Sequence, residues 1–148
     1  MRAWRVTRLH HVAFAHQADD TPNLLADLLG LPFAGEESAE GFVERMLPVG
    51  DSHLQLLQAT GPGVVGRFLE RRGPGLHHIA VEVSDLEEAI ADLLRRGVRM
   101  VDNAPRPGGM GTRIAFLHPE ATGGLLVELV GQPLDGAAGR EYPAAGRT

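Results

Sequence analysis

Apolar residues fall in short runs, broken by glycine, proline and aspartate, and the runs come in two similar series. Residues 6–15 carry Val6, Leu9, Val12 and Phe14 among β-compatible neighbours and predict a strand. Thr21 and Pro22 suit a helix start, Leu24, Leu25, Leu28 and Leu29 recur at helical spacing, and Gly30 closes the helix. A short strand over 31–36, a strand over 42–47, a turn at 48–51 and a strand over 53–57 follow. The first series therefore reads β-α-β-β-β.

Gly61-Pro62-Gly63 opens a linker with a small helix over 64–71, which Gly73-Pro74-Gly75 ends. The second series repeats the first: a strand over 76–83, a capping box from Ser84 to Glu87, and a helix with the stripe Ala89, Ile90, Leu93 and Leu94 closed by Gly97. Strands are expected over 98–101, 113–117 and 125–130, with a three-glycine loop over 105–111. Local identity supports the repeat: Ala26-Asp27-Leu28-Leu29 echoes Ala91-Asp92-Leu93-Leu94, and Leu54-Gln55-Leu56-Leu57 stands where Val127-Glu128-Leu129-Val130 stands. The expected class is α+β, with two tandem βαβββ modules in one domain over 1–132. Module one covers about 6–60, the linker helix 61–75 and module two about 76–132. Residues 133–148, rich in Gly, Ala and Pro, are expected as a loosely held tail.

The chemistry rests on a doubled motif. Leu9-His10-His11-Val12-Ala13 and Leu76-His77-His78-Ile79-Ala80 lie 67 residues apart. Strand parity separates the two histidines of each pair. His10, Val12 and Phe14, like His77, Ile79 and Val81, suit the face under a helix. His11 and His78 share the other face with the small Ala13 and Ala80, which leave room for a ligand. Gln55 and Glu128 interrupt apolar runs in the last strand of each module. A carboxylate buried there without a partner costs several kcal/mol, so it calls for a cation or a proton. Two imidazoles, an amide oxygen and a carboxylate suit a divalent ion, and this sulfur-free set fits Co²⁺, Mn²⁺, Ni²⁺ or Zn²⁺ alike. Glu44 breaks the repeat: aligning Gly41 with Gly111 sets Ile114 at its place, which marks Glu44 as a candidate catalytic base.

Composition narrows the rest. The chain has 148 residues, 43% hydrophobic and 22% charged, enough for one domain with its own core. A net charge of −5 argues against nucleic acid or an anionic membrane as partner. Cysteine is absent, which excludes disulfides and thiolate ligands, and lysine is absent, which excludes a lysine Schiff base. The basic N-terminus precedes too short an apolar run for a signal peptide, and no run reaches transmembrane length, so a cytoplasmic protein is expected.

These motifs, together with Gly41-Phe42-Val43-Glu44, Gly109-Met110-Gly111-Thr112-Arg113 and Ala115-Phe116-Leu117-His118-Pro119, resemble the vicinal oxygen chelate superfamily over residues 6–132. Within it, the chain is similar to the methylmalonyl-CoA epimerase family. The resemblance implies a cupped, barrel-like mixed sheet around one metal ion, with helices outside. It implies metal ligands His11, Gln55, His78 and Glu128, with cobalt the first candidate ion, and Glu44 and Glu128 as the acid/base pair. It also implies an acyl-CoA substrate, a 1,1-proton transfer and a homodimer. Arg67, Arg71, Arg72 and Arg113 are candidate contacts for CoA phosphates, set against solvated surface charge. A glyoxalase-type lyase, an extradiol dioxygenase with two His and one Glu, and an antibiotic-binding protein without a metal are the alternatives. The departures are Leu24-Leu25 and Leu28-Leu29 where the family has aromatics, and Phe42 where it has a smaller residue.

Overall fold

The computed structural model describes residues 1–17, 26–32 and 35–132. The start of the helix at 19–25 and the tail over 133–148 lie outside them. Among the described residues eight strands are β1 (Val6–His16), β2 (Gly35–Ala39), β3 (Phe42–Val49), β4 (Ser52–Ala59), β5 (Gly75–Val83), β6 (Arg106–Pro107), β7 (Arg113–Leu117) and β8 (Val127–Gly131). Segments α1 (Val64–Arg72) and α2 (Leu86–Arg95) are α-helices, residues 26–29 are also helical, and Gly109–Gly111 and Pro119–Thr122 are 3₁₀ turns. The order is β-α-β-β-β twice, with α1 in the linker; the order matches the sequence pattern, but β6 lies inside the loop expected over 105–111 rather than at 98–101.

The chain forms two compact units. The first holds residues 11–77 and the second residues 1–10 with 78–132, so the division passes between the two histidines of each pair. Strands β1 and β5 therefore contribute to both.

In the first unit the strand order is β2-β3-β4-β1. β1 runs parallel to β4 with Ala13 beside Gln55, and β3 runs antiparallel to β4 with Met46 beside Gln55 and Glu44 beside Leu57. The β2–β3 turn needs Gly41, because its φ is +83° and a Cβ there would stand 2.4 Å from the Pro62 carbonyl oxygen. Helix α1 buries Val65 and Leu69 against Ala13, Ala15 and Leu57.

In the second unit the order is β1-β5-β8-β7-β6. β5 runs parallel to β8 with Ala80 beside Glu128, and β7 runs antiparallel to β8 with Phe116 beside Glu128 and Ile114 beside Val130. Helix α2 lays Leu86, Ala89, Ile90 and Leu93 on Val83, Ala115 and Leu129, with Trp4 and Met100 completing this core. Trp4 Nε1 donates to Asp92 Oδ2 at 2.9 Å, which ties the N-terminal segment to α2. The opposite sheet face carries Ala80, Ile114 and Val130, with Phe116 packed against them.

Local expectations also differ from the structure. Asp85, not Ser84, caps α2: its side chain accepts from the Glu88 N–H at 2.9 Å, while Ser84 Oγ accepts from the Arg5 N–H. The stripe of α2 runs through Leu86 rather than Leu94, which is exposed. Residues 98–101 make one isolated bridge, Met100 to Leu117, in place of a strand. Residues 31 and 32 of the strand expected at 31–36 are not in a strand, residues 33 and 34 lie outside the described residues, and Leu28 and Leu29 are exposed on their helix.

Candidate active site

All five candidate residues are buried: His11 and His78 at 4%, Gln55 and Glu128 at 6% and Glu44 at 7% exposure. Sheet register explains how each unit assembles its share. Residues paired across neighbouring strands present their side chains on one face, and so do positions i and i+2.

In the first unit His11 and Ala13 on β1, Gln55 on β4 and Glu44 on β3 therefore share a face. Gln55 Nε2 donates to Glu44 Oε2 at 2.8 Å, a buried bond to a carboxylate. That bond sets the amide's orientation. Its Oε1 is then buried with no hydrogen-bond partner among the described residues. An unmade bond to a buried carbonyl oxygen costs about 1–3 kcal/mol, so the site asks for a positive group at that oxygen.

The second unit repeats the arrangement. His78 stands two residues before Ala80, as His11 does before Ala13, and Glu128 pairs with Ala80 as Gln55 pairs with Ala13. His78 Nε2 lies 2.9 Å from Glu128 Oε2, with both side chains almost wholly buried. The contact needs a proton between nitrogen and oxygen, and a divalent ion offered to the same two atoms takes that proton's place. The imidazole and the carboxylate suit a divalent ion by donor type. Phe116 meets the His78 ring edge-on, centroids 5.4 Å apart, and limits its tilt.

Register also locates the asymmetry between the halves. Glu44 pairs with Leu57, two positions past Gln55; Ile114 pairs with Val130, two positions past Glu128. The two residues are structural equivalents, so the first unit carries a carboxylate where the second carries isoleucine.

Glu82 follows Ala80 by two positions on β5 and is mostly buried. Burial pushes its carboxyl up, but hydrogen bonds from Arg8 and Thr7 and the charge of Arg8 outweigh that and hold it below its ordinary range. Of the arginines proposed for CoA phosphates, Arg72 lies 5.9 Å over the Phe68 ring and Arg113 pairs with Glu87. Two features escape the sequence pattern. The Gln55–Glu44 bond needs the β3/β4 register to be known. The contact of Phe116 with His78 had one signal, its parity with Ile114.

The model of the Glyoxalase/Bleomycin resistance protein/Dioxygenase superfamily matches residues 10–116. The chain belongs to that superfamily. The ethylmalonyl-CoA/methylmalonyl-CoA epimerase of Cereibacter sphaeroides is 33% identical over 132 residues, 84% of this chain and 97% of the relative. The crystal structure of methylmalonyl-CoA epimerase from Mycobacterium tuberculosis superposes with a TM-score of 0.82 at 34% identity, covering 90% of this chain and 93% of that one. A variant of the Streptomyces coelicolor methylmalonyl-CoA epimerase, in complex with 2-nitronate-propionyl-CoA, gives 0.80 at 36% identity, covering 88% and 97%. Within the superfamily the chain falls in the methylmalonyl-CoA epimerase family, and it is an enzyme of the isomerase class. Among the described residues no helix is long and apolar enough to cross a membrane.

Proposed function

We propose that this enzyme interconverts the (R) and (S) forms of methylmalonyl-CoA by a 1,1-proton transfer at C2, with a divalent ion held by His11, Gln55, His78 and Glu128. The observation that carries the reading is the Gln55–Glu44 pair: one buried amide bonds a carboxylate through Nε2 and leaves Oε1 to a cation. Cobalt is the proposed ion, with manganese, nickel and zinc compatible with the same donors. The working assembly is proposed as a homodimer on the family resemblance alone.

In this reading Glu44 removes the C2 proton. Gln55 Nε2 holds one carboxylate oxygen and so fixes the plane in which the base works. Glu128 delivers a proton to the opposite side of C2, because inversion needs a proton donor on each side. When bound, the divalent ion supplies positive charge against the negative charge that builds on the thioester oxygen. Burial of all five residues strengthens each electrostatic contact among them.

The test is epimerisation of one C2 epimer of methylmalonyl-CoA, followed by circular dichroism with and without Co²⁺. A change of the signal to a common end value only with the ion supports the reading. A retained signal with ion bound overturns it and turns attention to hemithioacetals, the substrates of the lyase alternative.

A further inference from the structure

The site-bearing face of the second unit continues past Glu128 to the sheet edge. Ala80 pairs with Glu128, Glu128 with Phe116, Val130 with Ile114, and Ile114 with Arg106 on β6. In the first unit the corresponding series ends with Glu44 paired to Glu37 on β2. The outermost position is therefore a carboxylate in one unit and a guanidinium in the other.

Arg106 is not an ordinary solvated arginine, although its side chain is 49% exposed. Its Nε donates to Asp102 Oδ1 at 2.9 Å, and the other Asp102 oxygen accepts from the Phe116 N–H at 2.9 Å. One carboxylate thus anchors both the arginine and strand β7. The guanidinium carbon lies 5.4 Å from the centre of the Phe116 ring, whose edge meets His78. This clamp gives up side-chain entropy in advance, which makes the remaining donors effective for a ligand. An arginine has five N–H donors, and only Nε is used by a protein partner among the described residues.

Distance and charge select the ligand group. Two contacts of 5.4 Å place the guanidinium within about 11 Å of the His78 ring. A peptide-like chain extends roughly 3.3–3.6 Å per three bonds, so that span takes in a thioester and the adjoining amide and falls short of a pyrophosphate. Pairing with Asp102 also cancels the net charge, which favours a neutral carbonyl over an anion. We infer that Arg106 donates to an amide carbonyl of the pantetheine arm and sets the enzyme's preference for long-armed thioesters. The inference rests on the proposed function, in which His78 and Glu128 lie at the reacting acyl group.

The test compares the wild type with Arg106→Gln on three methylmalonyl thioesters: CoA, N-acetylcysteamine with one amide, and ethyl with none. Binding of propionyl-CoA, which needs no turnover, is measured alongside. A hydrogen bond from a charged donor is worth about ten- to a hundredfold. The expected result is that loss in kcat/KM for the CoA and N-acetylcysteamine substrates, carried by KM. The ethyl thioester stays within about twofold, and propionyl-CoA weakens by the same factor as the CoA substrate. An equal loss on all three substrates, a loss confined to full CoA, or no loss overturns the inference. If the wild type fails to epimerise methylmalonyl-CoA, the proposed function fails, and propionyl-CoA decides alone. Weaker binding to Arg106→Gln sustains the arm contact; equal or absent binding overturns it.

Discussion

Glu44→Gln separates the chemistry of the site from its architecture. The substitution keeps the shape of the side chain and removes its capacity to take a proton. The new amide rotates so that its oxygen accepts from Gln55 Nε2, replacing the 2.8 Å bond to the carboxylate. A bond to a charged acceptor is worth about 1.5–3 kcal/mol and one to a neutral acceptor about 0.5–1.5, so the fold loses about 1 kcal/mol there. Removing a charge from a position 7% exposed returns part of that loss. Stability is thus expected to change by less than about 1 kcal/mol. A positioned general base contributes about 10²- to 10⁴-fold, or about 3–5 kcal/mol of barrier. The expected outcome is metal content and urea midpoint close to wild type with kcat reduced at least about a hundredfold, read by metal analysis, denaturation and epimerisation of one C2 epimer. Undiminished turnover refutes Glu44 as the base. Loss of the ion refutes the argument that Gln55 keeps its orientation through a neutral partner.

The remaining predictions address the ion, a helix cap and the acid limb. His78→Ala is expected to lose both turnover and the stabilisation that Co²⁺ confers on the wild type, about 2.7 kcal/mol at a hundredfold excess over Kd, in a thermal-shift titration. Asp85→Ala removes the α2 cap and is expected to cost about 1 kcal/mol in chemical denaturation, with Ser84→Ala costing less. Glu82 lies below its ordinary range when folded, so its contribution is present at neutral pH and fades as pH falls through the ordinary glutamate value of about 4.3 and below. Arg8→Gln is therefore expected to be less stable than wild type at pH 7, with the difference narrowing by pH 3.

The fold was legible because the two βαβββ series announce themselves in apolar periodicity, glycine breaks and a doubled histidine pair. Period-two parity alone puts His11 with Ala13 and His78 with Ala80, and the parallel pairs Ala13–Gln55 and Ala80–Glu128 show the same repeat in register. Local signals misled where a tertiary partner decides. Ser84 matches a capping box, yet its hydroxyl is taken by the Arg5 N–H from a segment far away in sequence, and Asp85 caps instead. Residues 98–101 have strand-like composition, but only Met100 makes a bridge. Arg106 carries no sequence signal at all, because its significance comes from Asp102 and Phe116, which the chain brings to it only when folded.

The most direct test of the proposed reaction is proton–deuteron exchange at C2 of methylmalonyl-CoA in D₂O, first with added Co²⁺ and then with EDTA. Fast exchange with inversion, abolished by the chelator, is the predicted result. An enzyme that binds one ion per chain and leaves the C2 proton in place contradicts it.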